Sequence, residues 1–269
     1  MPGPARAPLF ANVLCAVDGT RASTAAVRMA ACLAGPEGSL TLLAVTAAAG
    51  SGVHATAAIG PARVSRVLDG ARRIADDAGV PAATLIDPGH PPVKVILERA
   101  AGFDLLALGG PATSWFGDML VGGVSSVTLR HFTTPTLFVR ASFKPPLQGR
   151  RLMVASDGLE GSDEIVSMAA SLALDQDAPI TLVHALGPES RMHPHRIQAQ
   201  VKSLSQLHSS DSLIVPGHPA AVILSAVRST KATIVVIGSR RLGGLHAFNS
   251  VSRRVTHDSC SVLALPPAH

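Results

Sequence analysis

The chain has 269 residues, 47% of them hydrophobic but only 3% aromatic, with no tyrosine and 15% charged. That length suits two domains, and so little charge excludes a disordered or coiled-coil protein, leaving a globular core built from Ala, Val, Leu and Ile. The net charge of +5 is spread evenly, with 12 basic against 9 acidic residues in 1–146 and 11 against 9 in 147–269, which argues against the clustered basic stripe of a nucleic-acid binder.

Taken in chain order, the opening MPGPARAPLF lacks the apolar run of a signal peptide. No later stretch approaches the ~20 apolar residues that span a membrane, so a cytoplasmic protein without a membrane partner is expected. A first strand at about 12–17 ends in Asp18-Gly19. A helix at about 22–34 follows, with Ala26, Met29, Ala30 and Leu33 on one face. A strand at about 39–46 carries Val45 near its end, and a helix at about 61–79 leads to a strand at about 82–87. The segment Gly89-His90-Pro91 opens a helix at about 91–101, with the proline in its first turn. A strand at about 104–109 runs into Gly109-Gly110, and a helix at about 122–131 precedes a fifth strand at about 134–140. Alternating helices and short Val-, Leu- and Ile-rich strands predict buried parallel strands covered on both faces.

The segment FKPPLQG (143–149) has two prolines and a glycine and reads as a linker between a domain at 1–142 and a shorter one at 150–269. Strands beyond it fall near 151–156, 179–185, 212–215, 232–238 and 260–265. Cys15, Cys32 and Cys260 lie far apart in apolar contexts and form no CxxC pair, so neither zinc nor redox chemistry is signalled. The pair His193 and His195 lacks an evident third ligand and reads as a solvated loop.

The two halves repeat one another. VLCAVDGT (13–20) matches LMVASDGL (152–159), and SLTLLAV (39–45) matches PITLVHA (179–185). GHPPVKVIL (89–97) matches GHPAAVIL (217–224), and LLALGG (105–110) matches IVVIGS (234–239). GGVSSVTLRH (122–131) matches NSVSRRVTHD (249–258), and TPTLFVR (134–140) resembles SCSVLAL (259–265). Matches in one order over the whole chain mark a duplication.

In open parallel sheets, ligands bind beyond the carboxyl ends of the strands, where the strand order reverses. Two features recur at such tips: Asp18 and Asp157 after the first strand, and Gly109 and Gly238 after the fourth. An Asp there could accept from a sugar hydroxyl or an adenine amine, and a glycine loop entering a helix offers N–H groups to phosphates. The competing reading makes the Asp a turn or helix-capping residue and the glycine a positive-φ residue.

At these residues the chain resembles the universal stress protein family in its tandem two-domain form. The resemblance implies two open five-stranded parallel α/β sheets of order 3-2-1-4-5 and, frequently, a homodimer formed through the last strand. ATP-binding members carry an Asp at the first strand tip and a loop Gly-x-x-Gly-x9-Gly-Ser/Thr. By that resemblance Asp18 holds the ribose or base, Val45 presents backbone to adenine, and Gly109, Gly110, Ala112, Gly122 and Gly123 cradle the phosphates of ATP or a related adenine nucleotide, with Mg²⁺ as companion. Ala112 stands at the second glycine position and Gly123 at the terminal Ser/Thr. The second copy offers Asp157, Gly238, Ser239, Arg241 and Ser250, with Arg241 and Asn249 at glycine positions and a loop two residues shorter. Arg240 and Arg241 could attract an anion or stand solvated. Trp115 and Phe116 in the first loop could cover a ligand or fill a partner interface.

Three functions follow as expectations. The first is a stress-response regulatory protein, not an enzyme, that binds an adenine nucleotide in at least its first domain. The second is a scaffold for an unidentified protein partner, its nucleotide sites degenerate. The third, a slow ATPase, lacks a Walker loop with its Lys and an evident base to activate water.

Overall fold

The structure is a computed structural model that describes residues 8–46, 61–88, 91–110, 132–187, 194–207, 209–238 and 260–266. The chain divides into two compact units, Met1–Pro145 and Pro146–His269.

The first unit runs β1 (Asn12–Ala16), α1 (Arg21–Ala34), β2 (Ser39–Thr46), α2 (Pro61–Asp77), β3 (Ala82–Pro88), α3 (Pro92–Ala100), β4 (Leu105–Gly109) and β5 (Thr136–Val139). Its strands are parallel in the order β3-β2-β1-β4-β5, as the resemblance implies. In a right-handed crossover, a helix takes its face from the direction in which the chain steps across the sheet. The steps β1 to β2 and β2 to β3 share a direction, which puts α1 and α2 together on one face; the step from β3 to β4 reverses it and puts α3 on the other. The expected helix at 122–131 lies outside the described residues.

The second unit runs β6 (Leu152–Ala155), α4 (Ser162–Asp175), β7 (Ile180–Leu186), α5 (Pro194–Leu204), β8 (Ser210–Pro216), α6 (Pro219–Thr230), β9 (Ile234–Gly238) and β10 (Ser261–Leu265). The order β8-β7-β6-β9-β10, again all parallel, repeats that of the first unit. Pro194 and His195 are exposed but open α5 and do not lie in a loop, and His193 lies outside the described residues. Among the described residues, no helix is long and apolar enough to cross a membrane.

Sequence dictates the core directly. Val13, Leu14 and Cys15 of β1, Leu105 and Leu106 of β4, and Leu152, Met153 and Val154 of β6 are fully buried. Each buried Val or Leu side chain contributes roughly 1.5–3 kcal/mol of transfer free energy, so strands covered on both faces hold these sheets together without aromatic residues. Helix α1 starts at Thr20, whose side chain accepts from the Ser23 N–H at 3.1 Å, and ends at Gly35, whose positive φ of 61° closes the last turn onto Ala31. All four residues predicted for its inner face are buried.

Two expectations need correction. Strands β3 and β8 are not buried on both faces: Ile86 and Ile214 are 48% and 46% exposed. They are the outer strands, where charge and proline at Asp87-Pro88 and Asp211 and Pro216 suit an edge that must not pair further. In α3 it is Pro92 that takes the first helical position, Pro91 serving as N-cap; in α6 the start is as expected, with His218 as N-cap and Pro219 in the first turn.

Candidate functional site

In the first unit β1 lies between β2 and β4, and the chain steps from β1 toward β2 but from β4 toward β5, so the carboxyl ends of β1 and β4 flank the reversal. The chain leaves β1 through Val17 into a tight turn at Asp18. Asp18 Oδ1 accepts the Thr20 N–H at 2.8 Å, while Gly19 takes φ 80°. The turn hands over to the Thr20 cap, so Thr20, not Asp18, caps α1. The capping role weighed for Asp18 is therefore replaced by an Asx turn. Among the described residues Oδ2 of Asp18 has no partner.

Val45 lies on the neighbouring strand. The Val17 N–H donates to Leu43 O at 2.9 Å, so Leu43 turns its backbone polar groups toward β1. Two residues on, Val45 turns its N–H and C=O the same way, beyond the last β1 pairing of Ala16 with Leu43. Among the described residues no strand meets them there. Asp18 also acts inward: burial, and then its negative charge, push the Cys15 thiol up to about 12. Cys15 is thus a protonated core residue with no nucleophilic role.

Gly109 ends β4 against the start of α1. A Cβ at this position would stand 2.6 Å from the Ser23 N and 2.7 Å from the Ala22 carbonyl carbon. Gly238 ends β9 in the same way, its added Cβ meeting Ile165 Cδ1. Neither glycine has a positive φ; close approach of the α1 main chain requires Gly109, whereas Gly238 faces only the tip of a side chain. The Gly110 N–H donates to Val139 O at 2.7 Å, so it continues the β4–β5 pairing and is not a free phosphate donor. Ala112, Gly122 and Gly123 lie outside the described residues, as do Trp115 and Phe116.

The second unit repeats the turn: Asp157 Oδ1 accepts the Leu159 N–H at 2.8 Å and Gly158 takes φ 72°. Its surroundings differ. Ser156 Oγ donates to Gln200 Oε1 at 2.6 Å and accepts the Gly158 N–H at 3.1 Å. Gln200 Nε2 donates to Ser162 Oγ at 2.8 Å and to Asp163 Oδ1 at 2.6 Å, and Arg196 pairs with Asp163 Oδ2 at 2.8 Å. His184 Nδ1 lies 2.9 Å from Ser156 O, while among the described residues its buried Nε2 has no partner. The network is not legible in the sequence, because Gln200 and Arg196 sit on α5, which shares too short a match with α2. Ser239, Arg241 and Ser250 lie outside the described residues.

The universal stress protein family matches this chain twice, over residues 10–140 and 149–266. A curated Thermus aquaticus protein, described as the universal stress protein in QAH/OAS sulfhydrylase 3'region, is 26% identical over 132 residues, spanning 42% of this chain and 96% of that protein. Among solved structures, a universal stress protein from Archaeoglobus fulgidus DSM 4304 has a TM-score of 0.75 at 18% identity, covering 97% of each chain. A functionally unknown protein from Pseudomonas aeruginosa PAO1 has a TM-score of 0.69 at 15% identity, covering 96% of this chain and 93% of its own. At such identities the two structures speak to fold alone.

Proposed function

This chain belongs to the universal stress protein family, and on that premise we propose that it is a cytoplasmic stress-response regulator that binds an adenine nucleotide, with Mg²⁺, in its first unit. The observation that carries this reading is the juxtaposition, at the end of β1 beside the reversal of strand order, of the Asp18 carboxylate with the Val45 backbone, which no strand pairs on that side among the described residues. A carboxylate oxygen without a partner accepts a hydroxyl or amine, and an unpaired strand edge offers one donor and one acceptor to a base. Binding would favour one state of the protein over another by differential affinity; turnover is not part of the proposal.

The test is to purify the protein without added nucleotide, denature it, identify what is released, and titrate stripped protein calorimetrically with ATP and Mg²⁺. Asp18→Asn is the informative variant, because its amide oxygen still accepts the Thr20 N–H and preserves the turn. We expect about one nucleotide per chain and at least tenfold weaker binding by Asp18→Asn, with an unchanged melting temperature. No carried nucleotide and no binding at about millimolar ATP would sink the proposal.

A second reading, the protein-interaction scaffold, draws on Gly109. Helix packing accounts for Gly109 without any ligand, so this glycine does not itself testify to a phosphate loop. The same titration separates the two readings.

A further inference from the structure

The two units differ most in the groove between their first two helices. Gly19 and Gly158 are equivalent, and an added Cβ on each would meet Val67 and Ile197 respectively. This aligns α2 with α5: Arg66 with Arg196, Val67 with Ile197, and Gly70 with Gln200. In the second unit Gln200 plugs the groove, 4% exposed, and holds Ser156, Ser162 and Asp163. The first unit has Val17, Ser23 and Thr24 at those three places, and Gly70 instead of the plug.

What remains is a cleft of about 290 Å³ whose lining includes Val17, Val27 and Val67, the hydroxyl residues Ser23 and Thr24, Gly70, and Arg63 and Arg66. That volume is at the lower edge of the ~300–1,000 Å³ typical of small-molecule sites. Gly70 sits inside a helix, where glycine costs about 1 kcal/mol relative to alanine. Yet a Cβ there would meet nothing within 4 Å, and its φ is not positive. Neither packing nor backbone conformation asks for a glycine at 70. Among the described residues Arg63 and Arg66 have no ion-pair partner, whereas Arg196 has Asp163.

We infer that this cleft is a binding site for a small 2-hydroxy carboxylic acid with a short aliphatic body. The second unit shows what the first one lacks: a carboxylate for the arginine, and beside it a hydrogen-bond donor that reaches the serine hydroxyl. A 2-hydroxy acid carries both on adjacent carbons. Its carboxylate replaces that of Asp163 against Arg66, which suits a guanidinium fork. Its hydroxyl replaces Gln200 Nε2 at Ser23 Oγ, which gives its own hydrogen to Thr20 O at 3.1 Å and accepts the Asp18 N–H at 3.4 Å, leaving one lone pair to accept. Its chain lies on the valines. A 2-amino acid would place an ammonium beside two unpaired arginines, which like-charge repulsion disfavours.

The test titrates the full chain with 2-hydroxy-4-methylpentanoate and separately with its uncharged amide, following ligand saturation-transfer NMR. We expect the acid to bind at about millimolar concentration or below, and the amide at least tenfold more weakly. The double variant Gly70→Gln, Thr24→Asp grafts the second unit's plug and should abolish binding while melting no lower than the wild type. Arg66→Gln, at an exposed position that leaves the fold intact, should weaken binding at least tenfold. No binding by about 20 mM, equal binding of acid and amide, or binding that survives both variants would overturn the proposal. None of these outcomes depends on whether ATP binds.

Discussion

Gly109 and Gly238 end equivalent strands, but replacing them meets different obstacles. At Gly109 the added carbon runs into main chain, the N of Ser23 and the carbonyl carbon of Ala22; at Gly238 it runs into the far end of the Ile165 side chain. Main chain in a packed helix cannot turn aside, whereas an isoleucine tip can rotate. Gly109→Ala should therefore cost about 1–3 kcal/mol by overpacking, and Gly238→Ala under about 1 kcal/mol; urea midpoints of the two variants check this. Cys15 gives a prediction about pH. Its thiol titrates at about 12 in the folded chain against 9.0 ordinarily, through burial first and Asp18 second. The folded state thus keeps a proton that the unfolded state releases, and the stability it contributes, complete below pH 9, is lost as pH rises toward 12. Between pH 8.5 and 10.5 that loss is about 2 kcal/mol. Urea melts at both pH values should show it in the wild type, and a shallower slope in Cys15→Ala.

At the scale of elements, α2 and α5 occupy equivalent places with opposite economies. Gly70 leaves α2 short of a side chain that would meet open space, so Gly70→Ala should stabilise the protein by about 0.5–1 kcal/mol in a thermal melt. Gln200 in α5 is the hub of buried hydrogen bonds to Ser156, Ser162 and Asp163. Gln200→Ala strands those partners and should cost about 2–3 kcal/mol, more than the loss of one exposed hydrogen bond. The strands and α1 were legible in the sequence, because aliphatic runs and the spacing of Ala26, Met29, Ala30 and Leu33 report burial directly. What was not legible depends on neighbours distant in sequence. Ile86 reads as a core residue until β3 is seen to be an edge strand. Gly109 reads as a loop residue until α1 is seen to touch it. The correspondence of Arg66 with Arg196 was present in the sequence, but a shared arginine and aliphatic pair is too short a match without the glycines that align the helices.

Over the whole molecule, a duplication would by itself predict two equal sites, since the Asp-Gly turn recurs with the same hydrogen bond at Asp18 and Asp157. The asymmetry lies beside those turns. Val17 gives the first turn no hydroxyl at that place, whereas Ser156 draws the second turn into a buried polar network through Gln200. A turn held in that way has less freedom to adapt to a ligand, and Asp157 has a further partner of its own. If the first unit alone binds nucleotide, hydrogen exchange will show it residue by residue. Unpaired strand-end N–H groups exchange quickly, and one that donates to a bound base is protected in proportion to occupancy. At 100 times the dissociation constant, ATP stabilises its bound state by about 2.7 kcal/mol, which corresponds to exchange slowed by about 100-fold. That slowing should appear at Val45 and across Asp18–Thr20, and be absent at Ala185, the counterpart of Val45, and at Asp157–Leu159. Equal protection in both units would make the second site functional despite its altered loop. Protection that avoids Val45 would mean that the base does not lie along β2, and the placement of the nucleotide at the reversal of the sheet would fail with it.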